Sequence, residues 1–454
     1  MNQANKKMDW LSLMSPHRLN QQDAVMKVDP LRTPFDQDYD RIIFSHPFRS
    51  LQDKTQVFPL PENDFVHNRL THSLEVSSVG RSLGRAAGEK VLNKYEHLVE
   101  KGLSTHDFGA VVAAACLAHD IGNPPFGHAG ESTISNFFKN DPKGQFFKGK
   151  VSKNEWQDLI AFEGNAQGFR LLNNPDSKGL QCTAATLASF TKYPRSSVDI
   201  KTPGRKSQKK YGYFQSNVST FQKTAELTGL LPLDGHGWCR HPLAFLVEAA
   251  DDICYLIIDL EDATRLGLIP FEKTKELLAP IIGSRFDSKK LDTVEDPLQK
   301  LATLRAMAIH QLIADCCSVF IQKEEELLTG QFDKALTKQL MYSDTLSMVS
   351  SLSVKEIYRS KQVIEREALG LSVLTSLLAC FTEAAFYCLF NKEERMPQHS
   401  THFSLLPESV QMKLQRDNIS VYQSLRWVLD FISGLTDISA LKLHKLLTGQ
   451  VSVY

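Results

Sequence analysis

The sequence predicts an all-α protein, and three observations support that prediction. Apolar residues recur at steps of three and four over much of the chain, which is the period of helices that bury one face. Few segments alternate apolar and polar residues with the period of a half-buried strand. Strand and helix patterns also do not follow each other in turn, as they would around a parallel sheet.

Two predicted helices in the first third of the chain carry histidines near their ends. The first begins in the stretch "RLTHS", where Thr71 is a candidate N-cap and His72 falls in the first turn. The second covers 107–118 and delivers His119 and Asp120 at its carboxyl end. The following "IGNPPFG" cannot continue a helix, because its prolines lack donors and its glycines permit unusual backbone angles.

Further helices are predicted along the rest of the chain. Pro242 suits the first turn of a long helix that continues to about Leu266. The segment 192–213 is rich in Pro, Gly, Ser and Lys and is predicted to be a loop. Other predicted helices cover 297–327, 334–349, 361–391 and 421–434.

Composition excludes several classes of function. The 454 residues contain 52 Lys and Arg against 52 Asp and Glu, so no overall field draws the chain to nucleic acid or anionic lipid. Any anion that the protein binds must therefore be held locally. The eight cysteines have scattered spacings without a CxxC pair, which argues against a zinc ribbon and against a disulfide framework.

The chain is also predicted to lie outside the membrane and the secretory route. Its start, "MNQANKKMDW", is polar and lacks the apolar stretch of a signal peptide. The most apolar helix candidate, 243–260, is interrupted by Glu248, Asp251 and Asp252. We expect a soluble, cytoplasmic protein with reduced thiols.

One face of the predicted helix 242–266 is unusual because it is acidic. At 100° per residue, six polar side chains fall within an arc of about 100°. They are Glu248, Asp251, Asp252, Tyr255, Asp259 and Asp262. A solvated surface is one interpretation, but no Lys or Arg precedes Arg265 on this helix, whereas exposed faces usually mix signs. The other interpretation is a face that contacts a metal ion and a polar ligand.

These segments together offer a set of metal ligands. His72, His119, Asp120 and either Asp251 or Asp252 supply two imidazoles and two carboxylates. Such a set suits Mn, Mg, Fe, Co or Ni with open coordination positions. The helical arc contains both aspartates, so geometry alone does not choose between them.

The order H…HD…D resembles that of the HD-domain metal-dependent phosphohydrolases. In that superfamily the last ligand lies in a helix that reads Ala-Asp-x-hydrophobic, and residues 250–253 of "EAADDICY" match this pattern. The resemblance therefore favours Asp251 over Asp252 as the fourth ligand.

Five ordered blocks resemble one branch more closely, the deoxyguanosinetriphosphate triphosphohydrolases and related dNTP triphosphohydrolases. The blocks are "FRSLQDKTQVFPL", "NRLTHSLEV", "HDIGNPPFGHAGE", "FEGNAQGFRLL" and "EAADDICYLIIDLEDA", with "YRSKQVIEREALG" as a looser match. The resemblance implies an HD-domain helical bundle core with additional C-terminal helices. It divides the chain into an N-terminal extension (1–30), a catalytic core (31–275) and a C-terminal helical region packed on that core (276–454).

The resemblance also implies a reaction, namely hydrolysis of dGTP or another dNTP to the deoxynucleoside and inorganic triphosphate, which would contribute to control of dNTP pools. The implied cofactor is a divalent metal ion, Mn or Mg first and Fe, Co or Ni as alternatives. His128 matches a family acid/base residue and Glu131 its orienting partner. With a helix that begins near Gly130, the two could form a hydrogen-bonded pair.

Six further residues match family positions that contact the substrate. Gln52 and Asp259 match contacts to the sugar 3′ hydroxyl, and Tyr255 matches the ring beneath the deoxyribose. A ring at that place disfavours a 2′ hydroxyl, which would be buried without a partner. Arg69 matches an arginine that contacts phosphate or base, and Lys192 and Tyr193 match a pair that binds the distal phosphates.

Partners and alternatives stay open at this point. Many family members are hexamers, so we expect a homo-oligomer. The basic loop 201–210, "KTPGRKSQKK", is read first as a solvated turn, and otherwise as a triphosphate lid or a contact for single-stranded DNA. Alternative functions are another HD phosphohydrolase, acting on a nucleoside monophosphate or a guanosine alarmone, and a non-catalytic nucleotide-sensing protein. The segment "EGNAQ", 163–167, has no role that the sequence reveals.

Overall fold

The computed structural model describes residues 6–19, 32–55, 67–173, 180–358 and 361–450. In these ranges helices predominate, and the only paired strands form a two-stranded antiparallel ribbon. The predicted all-α class is confirmed.

The helices are numbered in chain order through the described residues. Those before the ribbon are α1 (Trp10–Leu13), α2 (Pro34–Ile43), α3 (His46–Arg49), α4 (Arg69–Lys94), α5 (His97–Glu100), α6 (Thr105–Ala118), α7 (Gly127–Asn140), α8 (Pro142–Gln145), α9 (Lys153–Ile160), α10 (Gly164–Leu172), α11 (Ala184–Phe190) and α12 (Val218–Thr228). The ribbon pairs β1 (Pro232–Leu233) with β2 (Gly237–Trp238), and Leu233 lies opposite Gly237.

The second half of the chain continues as helices and single turns. Its helices are α13 (Pro242–Arg265), α14 (Phe271–Ile282), α15 (Ser288–Asp292), α16 (Pro297–Gln322), α17 (Glu324–Leu328), α18 (Ser343–Ser353), α19 (Lys361–Leu389), α20 (Pro397–Ser404), α21 (Glu408–Leu414), α22 (Val421–Gly434) and α23 (Asp437–Leu447). Turns of 3-10 helix cover Ser50–Asp53, Lys148–Lys150, Lys206–Gln208, Gln215–Asn217, Gly283–Arg285 and Leu336–Gln339, and a π turn covers Val354–Tyr358.

Small residues on α4 allow it to pack closely against α6. Gly80, Gly84 and Gly88 lie one helical turn apart on the face that meets α6. A Cβ at Gly84 would lie 2.6 Å from the backbone oxygen of Phe108, and one at Gly88 would lie 2.7 Å from its Cβ. Larger side chains would therefore push the helices apart, and this close packing brings His72 on α4 to the carboxyl end of α6.

Two hydrophobic clusters divide the packing of the molecule. The first joins α4, α6, α13 and α16 and includes Val76, Val112, Ile253 and Leu312, all fully buried. The second joins α7 and α9 to α19 and α22. It includes Phe137, Phe138, Leu374, Phe381 and Leu429. The helix α7, which begins beside His128, thus rests on the carboxyl-terminal part of the chain.

Several predicted boundaries shift. The start of α4 at Thr71 is wrong, because Asn68 is the N-cap and accepts a hydrogen bond from the Thr71 amide at 2.9 Å. The Thr71 hydroxyl contacts the Asn68 amide in return, so the pair forms a capping box. His72 still lies in the first turn. The prediction of one helix over 334–349 is also wrong, because this stretch divides between the 3-10 turn Leu336–Gln339 and α18.

Two helices are long and apolar enough to cross a membrane by length and composition alone, Pro297–Gln322 and Ile364–Leu389. Each contributes buried side chains to a hydrophobic cluster, for example Leu304 to the first and Phe381 to the second. Core helices of water-soluble proteins commonly have this composition, so the two helices are weak evidence for a membrane span.

Candidate metal centre and active site

Three helices converge to place two imidazoles and a carboxylate around one point. His72 comes from the first turn of α4, His119 from the carboxyl end of α6, and Asp251 from the middle of α13. Asp251 Oδ1 lies 3.5 Å from His72 Nε2 and 3.6 Å from His119 Nε2. One ligand atom from each residue lies within 4.8 Å of the others, which is the spacing of groups that share a divalent ion.

The ring of His119 is oriented for this purpose. Its Nδ1 lies 2.7 Å from the carbonyl oxygen of Cys116, one turn earlier on the same helix. When Nδ1 donates its proton there, Nε2 carries the lone pair that faces Asp251. The His119 and His72 rings meet edge to face, with centroids 5.3 Å apart. The donor set therefore fits a divalent cation.

Asp120 lies beside this cluster and faces partly away from it. Its Oδ1 is 3.6 Å from His119 Nε2, while its Oδ2 accepts a hydrogen bond from Arg69 Nη1 at 2.8 Å. The Asn123 side-chain amide also donates to Asp120. Burial alone would raise the pKa of Asp120, but the charges of Arg69 and the two histidines outweigh burial and lower it to about 2. The carboxylate is therefore ionised at neutral pH and available to a cation.

The pKa values of Asp251 and His72 are shifted as well, in each case toward the charged form. Burial would raise the pKa of Asp251, but His119, His72 and Lys192 together hold it well below its usual range. Burial would lower the pKa of His72, but the hydrogen bond and charge of Asp251 raise it above that of an ordinary histidine.

The raised pKa of His72 predicts how metal affinity depends on pH. Because an entering cation must displace the His72 proton, we expect apparent affinity for Mn²⁺ to rise with pH until that raised pKa is passed. The slope should approach about tenfold per pH unit below it. Titrations of the metal-free protein with Mn²⁺ between about pH 6 and 8, followed by calorimetry, would measure this. An affinity that is constant over that range would contradict the assignment of His72 as a ligand.

The acidic face of α13 is not a solvated surface. Glu248 is buried and lies 2.8 Å from Arg240 Nη1 and 2.9 Å from Lys206 Nζ. Asp262 is also buried, and its Oδ2 lies 2.6 Å from Nδ1 of His67. The interpretation of this face as a solvated surface is therefore wrong. The basic side chains that pair with its carboxylates come from other segments of the chain.

The same helix separates Asp251 from Asp252. Asp252 Oδ2 accepts a hydrogen bond from the Thr337 hydroxyl at 2.8 Å, away from the histidines. Burial and the charge of Glu248 raise the pKa of Asp252, whereas that of Asp251 is lowered. Of the two aspartates that helical spacing leaves as alternatives, the structure brings Asp251 to the two histidines.

A cavity of about 560 Å³ opens beside the candidate metal ligands. Its volume lies within the range of small-molecule sites. Nine of the twelve residues predicted for the site line it. They are Arg69, His119, Asp120, His128, Glu131, Lys192, Tyr193, Asp251 and Tyr255.

The remaining three predicted residues lie elsewhere. His72 is almost fully buried behind the cavity wall, where it contacts Asp251. Asp259 is buried on α13 and does not belong to the lining. Gln52 is exposed at the 3-10 turn Ser50–Asp53 and also lies outside the lining, so the predicted contacts of Gln52 and Asp259 to a sugar stay predictions.

His128 and Glu131 form the predicted pair on α7. His128 Nδ1 lies 2.7 Å from Glu131 Oε2, and the imidazole is 82% exposed in the open cavity. The helix begins at Gly127 rather than near Gly130, but the spacing of the pair is unaffected. The hydrogen bond to Glu131 raises the pKa of His128, so the ring keeps its proton to a higher pH than a free histidine does.

Glu131 is held by residues whose role the sequence does not reveal. Its Oε1 accepts a hydrogen bond from the Gly164 amide at 2.7 Å, and a Cβ at Gly164 would lie 2.6 Å from that oxygen. Lys210 Nζ lies 3.0 Å from Glu163 and 3.9 Å from Glu131 Oε2. The segment 163–167 therefore supports Glu131, and the glycine is required for the close approach.

The basic loop 201–210 folds against the cavity. Lys209 and Lys210 line it, and Lys206 pairs with Glu248. The expectation of a solvated turn is therefore wrong for this end of the loop. The sequence of the loop does not show which of its lysines face the cavity, because the carboxylates that pair with them are distant in sequence.

Comparisons with known proteins agree with this geometry. Residues 69–155 match the HD domain family, and residues 342–446 match the phosphohydrolase-associated domain. Together with the relatives that follow, these two matches place the chain among the HD-domain phosphohydrolases. Over nearly its whole length it is also similar to proteins with a more specific name.

A deoxyguanosinetriphosphate triphosphohydrolase-like protein of Synechocystis is 40% identical, over 97% of this chain and 99% of the relative. One from Pseudomonas aeruginosa is 36% identical, over 98% and 100%. A deoxyguanosinetriphosphate triphosphohydrolase of Salmonella typhimurium is 30% identical, over 94% of each chain. The chain belongs to the deoxyguanosinetriphosphate triphosphohydrolase family, so the resemblance drawn from the sequence is confirmed.

Proposed function

We propose that the protein is a metal-dependent dNTP triphosphohydrolase that converts dGTP, and other dNTPs to a lesser degree, to the deoxynucleoside and inorganic triphosphate. The observation that carries this proposal is the convergence of two groups on one cavity. The metal ligands His119 and Asp251 line it together with the hydrogen-bonded pair His128 and Glu131. The names of the relatives support dGTP as the favoured substrate.

The charge balance of the cavity supports a metal requirement. The lining contains five carboxylates and four lysine or arginine side chains. A triphosphate would therefore meet no excess of positive charge from these residues alone. His72, His119, Asp120 and Asp251 would hold a divalent cation, which would supply that charge and stabilise the charge that develops on a phosphoryl group. Mn²⁺ or Mg²⁺ is the proposed ion, since carboxylate ligands suit both.

Basic side chains at the cavity hold the phosphates in this proposal. Lys192 Nζ lies 3.3 Å from Glu248 and 3.9 Å from Asp251 Oδ2, so it stands beside the metal ligands. Burial would lower the pKa of Lys192, but the charge of Glu248 outweighs burial and raises it, which keeps the ammonium charged. Lys210 stands at the His128 side. The two cations thus bracket the place where a chain of phosphates would lie.

His128 is the proposed proton donor. Hydrolysis of the bond between the α-phosphorus and the 5′ oxygen leaves an alkoxide, which needs a proton as it departs. The imidazole is exposed in the cavity, and the hydrogen bond to Glu131 raises its pKa, which favours the protonated ring that a proton donor requires. Glu131 accepts the hydrogen bond from Nδ1 and directs Nε2 toward the cavity.

Tyr255 is the proposed discriminator of the sugar. It lies one helical turn after Asp251 on α13, is half-buried and lines the cavity. A ring against C2′ of deoxyribose would leave a ribose 2′ hydroxyl without a partner, at a cost of about 1–3 kcal/mol. That cost predicts a preference for dNTPs over NTPs of roughly 5- to 150-fold.

The location and the partners follow from the family resemblance. We propose a cytoplasmic homo-oligomer, with a hexamer as the form expected from the resemblance. Binding of single-stranded DNA is a secondary proposal that rests on the lysines of the loop 201–210. In this structure two of them, Lys206 and Lys210, lie 2.9 Å and 3.9 Å from the cavity carboxylates Glu248 and Glu131, which favours the phosphate-binding role for this part of the loop.

The products of the reaction test the proposal. We expect the protein, loaded with Mn²⁺, to release deoxyguanosine and tripolyphosphate from dGTP, with lower rates for the other dNTPs and for GTP. Chromatography of the nucleoside and ion chromatography of the phosphates would measure both products. The matched reaction with GTP reports on Tyr255, because only the 2′ hydroxyl differs.

Two other outcomes would replace this proposal. Release of a monophosphate and pyrophosphate would show a different bond cleaved. Hydrolysis of a nucleoside monophosphate or of a guanosine alarmone, without action on dNTPs, would assign the site to another branch of HD phosphohydrolases. Binding of nucleotides without products from any of them would indicate a sensing protein.

A further inference from the structure

The loop between the metal ligand Asp120 and the proton donor His128 has an unusual backbone. Phe126, which precedes α7, has φ of 63°, and Gly127 has φ of 57°. The first is strained, because a residue with a Cβ rarely adopts the left-handed region. No side chain caps α7 at Phe126. Inside the loop, the Gly127 amide donates to the Pro124 carbonyl oxygen at 3.2 Å, and further contacts come from outside the loop.

The strongest of these contacts comes from Asp437, more than 300 residues away. Asp437 begins α23 and is almost fully buried. Its Oδ1 accepts a hydrogen bond from the Phe126 amide at 2.8 Å. Its Oδ2 accepts from the Thr55 hydroxyl at 2.8 Å and from the Thr55 amide at 3.2 Å, and Arg366 on α19 pairs with it. One carboxylate thus joins the loop to two other parts of the chain.

Other contacts hold the same loop against the same part of the chain. Lys54 Nζ donates to the carbonyl oxygen of Asn123 at 2.7 Å and to that of Ser433, near the end of α22, at 2.8 Å. Gly370 on α19 faces Phe126 so closely that a Cβ there would lie 2.7 Å from Phe126 Cγ. All the distal groups, on α19, α22 and α23, lie within the phosphohydrolase-associated match.

We infer that Asp437 is a positioning residue for His128, through which the phosphohydrolase-associated domain holds the left-handed turn that begins α7. A shift of this turn would move the imidazole relative to His72 on α4, His119 at the end of α6 and Asp251 on α13. Such a displacement would slow the reaction, because proton transfer depends on the distance and orientation of the donor. The inference rests on the proposed function, since it concerns the placement of the proposed proton donor.

Hydrogen exchange tests the contact without any reaction. In Asp437→Ala the Phe126 amide loses its acceptor, so a peptide that covers residues 121–130 should exchange at least about tenfold faster. Thr436→Ala is the matched control, because Thr436 caps the same helix through Ser439 and does not touch the loop. It should loosen α23 and leave exchange of the loop unchanged. Asp437→Asn, which keeps one acceptor oxygen, should show an intermediate rate.

Kinetics tests the consequence for the site. With dGTP as the probe, Asp437→Ala should lower kcat by about 10- to 100-fold, with KM and Mn²⁺ affinity within about threefold of wild type. Asp437→Asn should recover part of the loss, and Thr436→Ala should retain wild-type kcat. Because a loss of folded protein also lowers apparent kcat at constant KM, kcat is expressed per Mn²⁺-binding site counted by calorimetry.

Hydrogen exchange and kinetics can each contradict the inference, and they do so through different results. If Asp437→Ala leaves exchange of residues 121–130 unchanged, or if Thr436→Ala accelerates it equally, the inference is overturned. Loss of kcat in Thr436→Ala equal to that in Asp437→Ala would overturn it as well. A wild-type protein that hydrolyses no nucleotide would refute the proposed function instead, while the exchange comparison would still decide whether Asp437 holds the turn.

Discussion

Asp251→Asn is expected to abolish tight metal binding and to lower turnover of dGTP by about 10³-fold or more. The physical reason is the loss of a charged ligand that lies 3.5 and 3.6 Å from the two imidazoles. Charge stabilisation by a metal ion contributes several kcal/mol to phosphoryl transfer, and each 1.36 kcal/mol corresponds to a factor of ten. Calorimetry with Mn²⁺ and the product assay would measure the two effects.

The neighbouring aspartate provides a matched control. Asp252 follows Asp251 on the same helix and also lines the cavity, but its side chain contacts Thr337. Asp252→Asn removes the same charge and keeps an oxygen that can accept from Thr337, so we expect Mn²⁺ affinity within about threefold of wild type. Equal losses in the two variants would contradict the assignment of Asp251 and would indicate a general effect of charge in the cavity.

The fold class was accessible from the sequence because helical periodicity is a local signal. The helix predicted for 421–434 agrees with α22, and the one predicted from Pro242 to about Leu266 agrees with α13. The predicted start of α4 failed for a local reason as well. Asn68 and Thr71 can each cap a helix, and only the reciprocal hydrogen bonds of the capping box show that Asn68 is the cap.

The candidate metal ligands were only partly accessible from periodicity. Spacing places Asp251 and Asp252 on one face of α13, but their side chains diverge because Thr337, 85 residues away, binds Asp252. The sequence pattern of α13 alone does not predict such a contact. The family resemblance favours Asp251 because it compares whole blocks of sequence, and it adds information that hydrophobic spacing lacks.

The support of the active-site pair could not be predicted at all. Glu131 depends on the Gly164 amide and on Lys210, and both contacts join segments that carry no common pattern. The hold of Asp437 on Phe126 spans 311 positions. Long-range polar contacts of this kind depend on how the two hydrophobic clusters pack against each other. That packing cannot be predicted from a single sequence.

His128→Ala is expected to lower kcat by about 10²- to 10⁴-fold, the range for loss of a proton donor. Mn²⁺ affinity should stay close to that of wild type, because the imidazole is not one of the clustered ligands. His310→Ala, which removes an exposed histidine of α16, is the control for loss of an imidazole as such. Unchanged turnover in His128→Ala would refute the assigned role.

The pH dependence of kcat distinguishes proton donation from simple substrate contact. The hydrogen bond to Glu131 raises the pKa of His128, so the active, protonated ring persists to higher pH, and kcat should fall as pH rises through that raised pKa. In Glu131→Gln the contact that raises this pKa is weakened, so the falling limb should move to lower pH. In His128→Ala the limb should vanish. A limb that keeps its position in Glu131→Gln would assign it to a group other than His128, because the hydrogen bond to Glu131 is the largest cause of the raised pKa of His128.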